Sequence, residues 1–79
     1  MCYTARLQEF ADQHYIKLEW EESKDTANGA DKHTVYPKIG GQAYRNHSAS
    51  ATTLKKARNE SAMSLINSES LVVQFGANA

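Results

Sequence analysis

Apolar positions along the chain change their spacing several times, and each change marks a new element. Tyr3, Leu7, Phe10, Ala11 and His14 recur at i, i+4, i+7, i+8 and i+11, the spacing of one face of an α-helix. Arg6, Gln8, Glu9, Asp12 and Gln13 fall on the other side, and Thr4 could cap the start. The period then becomes two. Ile16, Leu18 and Trp20 alternate with Lys17, Glu19 and Glu21, which predicts a strand with one wet face and Trp20 in the core. The segment Glu22–Lys32 is polar and contains Asn28-Gly29; it reads as a loop longer than a tight hairpin needs. Thr34–Ile39 is a second strand with Val35 and Ile39 inward. Pro37 removes a ladder donor there, so this strand is expected at an edge or bulged. Gly40-Gly41 is a hairpin signal leading into a third strand, Gln42–Asn46. His47–Thr53 reads as a loop of small polar residues, and Thr52 or Thr53 opens a second helix. Its inward positions are Leu54, Ala57, Ser61, Ala62 and Leu65. Small residues at such positions imply close approach to the sheet, and the helix is expected to end near Asn67.

The order is therefore α–β–β–β–α. Three strands make one antiparallel sheet, and two amphipathic helices cover one of its faces, giving a two-layer α+β sandwich. One domain spans residues 1–79, with its core at about 3–67. The tail holds a short apolar run, Leu71–Phe75, suited to extending the core or to seeking a partner.

Composition narrows the functional classes. A chain of 79 residues folds alone only if nearly all of it serves one core. No apolar run approaches the ~20 residues that span a bilayer. The N-terminal MCYTARLQEF carries Arg6 and no apolar stretch, so it does not read as a secretory signal. The single cysteine, Cys2, makes no internal disulfide, and an intracellular, reducing compartment, cytoplasmic or nuclear, is expected.

Nine bases balance nine acids, but unevenly. Residues 1–40 hold seven acids and five bases, whereas Gln42–Asn59 holds Arg45, Lys55, Lys56 and Arg58 and no acid. A basic stretch in a neutral protein hints at an anionic partner.

Three stretches, in this order of elements, resemble the double-stranded RNA-binding domain (dsRBD) family. Leu7-Gln8-Glu9-Phe10 looks like the Leu-Asn-Glu-Tyr stretch of the family's first helix. Ile39-Gly40-Gly41 followed by Tyr44 looks like its second hairpin. Thr53–Ala62 resembles the Lys-Lys-x-Ala-Lys-x-x-Ala-Ala start of its second helix. The likeness covers roughly Thr4 to Asn67 and implies a divergent, non-catalytic member that binds duplex RNA by shape. Such a domain touches two successive minor grooves and the phosphates of the major groove between them. Lys55, Arg58, Lys56 and Asn59 would then bridge phosphates, aided by the helix N-terminus. Gln8 and Glu9 match the family's Asn-Glu pair, whose carboxylate accepts from 2′-hydroxyls. The loop contact would fall to His33 or, if His33 lies in the strand, to Lys32 or Asn28. Here two placements stay open, because His33 occupies either the groove loop or a strand position that holds a core aromatic in the family. The sequence departs from the pattern in three ways. Leu54 stands where a lysine usually does, the loop before the second helix is about two residues longer, and the first loop has no proline.

A second class is a degenerate domain of the same fold that binds protein or itself. Neutral charge, the missing lysine and the apolar tail favour it. An enzyme is not expected. Cys2 and the three histidines have no spacing that recommends a nucleophile–base pair, and no two histidines lie at metal-binding helical spacing. No cofactor, metal, membrane or small-molecule substrate is implied.

Overall fold

A computed structural model describes residues 2–68 of the chain, and the apolar run at Leu71–Phe75 lies outside them. Helix α1 spans Tyr3–Gln13 and buries Leu7, Phe10 and Ala11, with Tyr3 and His14 half-buried on the same face. Cys2, not Thr4, takes the cap position, and no side chain caps the helix. The helix ends in a left-handed turn. Tyr15 has φ of 55°, the Ile16 N–H reaches Ala11 O at 2.9 Å, and the Tyr15 N–H reaches Asp12 O at 3.2 Å. This is the paired closure that a glycine usually makes. Here a tyrosine makes it, and the residue is 97% exposed. The turn hands the chain to Ile16, which packs against the core.

Strands β1 (Leu18–Ala27) and β2 (Ala30–Ile39) form an unbroken antiparallel ladder from Leu18↔Ile39 to Ala27↔Ala30. The expected long loop at Glu22–Lys32 is thus a two-residue hairpin between ten-residue strands. Asn28 (φ 54°) and Gly29 (φ 78°) both take positive φ, as a type I′ turn requires and as Asn-Gly readily supplies. Polar pairs hold the arms where no core exists. Thr26 Oγ1 donates to Asp31 Oδ1 at 2.9 Å, and Lys24 Nζ lies 3.5 Å from Asp31 Oδ2.

The expected third strand is interrupted. β3 (Gln42–Ala43) pairs with Lys38 and Ile39; a 3-10 turn follows over Arg45–His47; β4 (Ala49–Ala51) then pairs with His33–Val35. β2 is accordingly the central strand, not an edge, and Pro37 sits inside the sheet. Tyr44 N–H donates to Pro37 O at 2.9 Å, so Pro37 faces this third-strand side. Its missing N–H could not bond a continuous strand there, and the strand breaks opposite it. The loop expected at His47–Thr53 contains β4.

Helix α2 spans Leu54–Asn67, as the periodicity indicates. Ala57, Ser61, Ala62 and Leu65 are fully buried, with Leu54 half-buried. The small residues bring α2 close to the sheet and the 3-10 turn, and Ser61 Oγ donates to His47 O at 2.6 Å. Leu7, Phe10, Ile39, Tyr44, Ala62 and Leu65 make the core. Trp20 packs on its flank and stays half-buried, so it is less central than its strand pattern predicts. The phenol oxygen of Tyr44 is buried with no partner among the described residues, and burial pushes its pKa up. The result is an α–β–β–β–α two-layer α+β sandwich.

Asp31 gives the hairpin a pH dependence. The Thr26 hydroxyl, and after it the Lys24 ammonium, hold its carboxyl below the usual 3.8. A depressed acid stabilises its surroundings above the unfolded pKa and loses that contribution as pH falls through the folded one. The hairpin tip should therefore tighten at neutral pH and loosen in acid. NMR titration should give an Asp31 midpoint below that of an unfolded Asp peptide, with Thr26 shifts following the same curve.

Candidate nucleic-acid interface

The start of α2 is built by capping. Thr53 is extended (φ −131°, ψ 152°), and its Oγ1 accepts from the Lys56 N–H at 3.2 Å. This satisfies one of the N–H groups a helix start leaves open. Thr53→Ala should cost about 1 kcal/mol, measurable by urea denaturation.

The N-termini of α1 and α2 meet here. Tyr3 N–H donates to Asn59 Oδ1 at 2.7 Å. Between them lies an open groove of about 490 Å³, lined by Cys2, Thr52, Thr53, Lys55, Lys56 and Asn59. No acid lines it. Both lysines are exposed, and two helix N-termini add their partial positive charge. The N–H of Ala5 above all lowers the pKa of the exposed Cys2 thiol; desolvation, next in size, opposes it, and the Thr4 N–H and hydroxyl and last the Lys55 charge add to the lowering. The helix-end N–H groups and the two ammonium groups favour negative charge in the groove.

Arg58 points elsewhere. Its Nε donates to Glu22 Oε2 at 2.6 Å, and its Nη2 reaches the same oxygen. The side chains are 37% and 30% exposed, so solvent screens the pair but does not dissolve it. The expected cluster of Lys55, Lys56 and Arg58 is therefore split. Lys55 and Asn59 share the groove, whereas Arg58 clamps α2 to β1. Asn59 spends its carbonyl oxygen on Tyr3.

Gln8 and Glu9 are exposed on α1. Gln8 Nε2 donates to Asp12 Oδ1 at 3.0 Å, and Glu9 Oε1 accepts from Gln13 Nε2 at 3.3 Å. Gln8 lies five residues beyond Tyr3, about 8 Å along the axis. His33 occupies a strand position, half-buried between Lys24 and Ala51. Lys32 is exposed and opposite Asp25. Successive residues in a strand point to opposite faces, so Lys32 and His33 cannot meet one ligand together.

Sequence reasoning missed Cys2 and Thr52 as groove residues and Glu22 as the partner of Arg58. The threonines carried a signal as potential caps. Glu22 carried none, being 36 positions from Arg58.

No protein-family model matches the chain, and no curated protein matches its sequence. No helix of the described residues is long and apolar enough to cross a membrane, and among them no three His, Cys, Asp or Glu side chains group to hold a metal ion.

Proposed function

We propose that this domain binds double-stranded RNA by shape, without sequence readout and without catalysis. One observation carries the reading: the groove at the start of α2, lined by no acid among the described residues and flanked by exposed Lys55 and Lys56. Phosphates of the narrow major groove sit against this helix start, where N–H groups and ammonium groups converge. Gln8 and Glu9 lie to one side on α1 and meet the ribose hydroxyls of the adjoining minor groove. The hairpin arm bearing Lys32 reaches for the next one. Arg58, held by Glu22, is not part of the clamp.

Titration with an RNA duplex and a DNA duplex of the same sequence, at two salt concentrations, tests this. The expected result is binding to RNA alone, weakening as salt rises. Equal binding to DNA, or none to either, rejects it. A second reading has its own support. With Arg58 occupied, the groove keeps two lysines, and a module of this fold that binds protein needs no phosphate clamp.

A further inference from the structure

Among the described residues the sheet has one long free edge. β1 pairs with β2 alone among the described strands, and its ten residues contain no proline or glycine. Two bonds fix the phase of the ladder. Gly40 N–H donates to Lys17 O, and Tyr44 N–H donates to Pro37 O. The first turns Lys17, and with it Glu19, Glu21, Ser23 and Asp25, toward β2. The second turns Pro37 away from β1, so its partner Trp20 has its polar backbone outward. The N–H and C=O groups of Leu18, Trp20, Glu22, Lys24 and Thr26 therefore line the open edge.

Side chains along this edge are sorted by face. Leu18 and Trp20 lie on the core side, half-buried. Glu19, Glu21 and Asp25 lie on the opposite side, all exposed and, among the described residues, without an ion pair within 4 Å. A second copy of β1 laid antiparallel on this edge would set acid against acid, for instance Glu19 opposite Asp25 about Glu22, and like charges directly opposite destabilise a sheet. A strand with alternating bases and apolar residues would meet the acids on one face and Leu18 and Trp20 on the other.

We propose that the β1 edge is a docking site for an extended basic peptide segment of another protein, added as an antiparallel strand. Main-chain bonds at the five outward positions hold it, and the acids select it. The inference is independent of the RNA reading, since it uses none of the groove residues.

Amide hydrogen exchange of the whole chain, followed by NMR with a Lys-Val-Lys-Val-Lys-Val-Lys peptide, tests it. The expected result is new protection at Leu18, Trp20, Glu22, Lys24 and Thr26, with Glu19, Glu21, Ser23 and Asp25 unchanged. The Glu21→Lys/Asp25→Lys double variant should lower affinity about tenfold. Lys24→Pro removes an outward N–H while sparing the ladder to β2, and should abolish the alternating protection with the fold intact. Any one of several results overturns the proposal. These are no new protection, equal protection by the Glu-Val counterpart, even-numbered amides already protected in the free chain, and concentration-dependent dimerisation through this edge. Protection of the same amides by duplex RNA also overturns it.

Discussion

Replacing Lys55 and Lys56 together by alanine should reduce affinity for duplex RNA by at least a hundredfold, about 3 kcal/mol or more, at low salt. Charge-assisted hydrogen bonds contribute roughly 1.5–3 kcal/mol each, and two are removed. The plot of log affinity against log salt should flatten by about 1.8, near 0.9 for each phosphate left without its ammonium partner. Both side chains are exposed, and alanine is as good a helix former as lysine, so the fold should be unaffected. Arg58→Ala is the contrasting control. Its guanidinium is committed to Glu22, and its removal should change RNA affinity by no more than about threefold while loosening the packing of β1 on α2 by at most about 1 kcal/mol. If instead Arg58→Ala abolishes binding and the lysine pair is silent, the clamp has been assigned to the wrong side of α2.

Leu65→Ala should be the most damaging single truncation. Leu65 is 0% exposed and closes the core beneath α1 together with Leu7 and Phe10. Deleting a buried leucine side chain costs about 3–5 kcal/mol, including the cavity it leaves. A chain of this length has roughly 4–12 kcal/mol in total, so the loss takes from about a quarter to all of it. Urea denaturation followed by circular dichroism should show a midpoint lowered by that fraction. Trp20→Ala removes a larger side chain from a half-buried place and should cost about half as much. If Trp20→Ala proves the costlier of the two, the core is centred on β1 and not on the packing of helix against helix.

What the sequence discloses follows from which interactions are local. Helix faces are written in short-range spacing, and Leu7, Phe10 and Ala11 on α1 and Ala57, Ser61, Ala62 and Leu65 on α2 are buried as that spacing requires. Val35 and Ile39 are likewise inward. The hairpin is harder to see, because its outer half has no apolar side to alternate with its polar one. Ser23 to Asp31 looks like loop by composition, yet Asn28-Gly29 is sufficient to fold it into a turn once Thr26, Lys24 and Asp31 bond across the arms. Pro37 reads as a mark of an edge strand. Its actual effect falls on the neighbouring strand, which breaks where the proline has no N–H to give. At the site, Lys55 and Lys56 are legible from the basic stretch and the cap. The diversion of Arg58 to Glu22 is not, since a pair so far apart in sequence leaves no periodic trace.

The bond from Tyr3 N–H to Asn59 Oδ1 spans 56 positions, whereas the β1–β2 ladder closes on a two-residue turn. Contacts near in sequence form quickly, and those between distant segments wait on the entropy of closing the loop between them. Docking of α1, which seals Leu7 and Phe10 over Leu65, therefore carries the largest closure cost. Without that contact the groove has only one of its two walls, so an anion bound there would favour the docked helix by mass action.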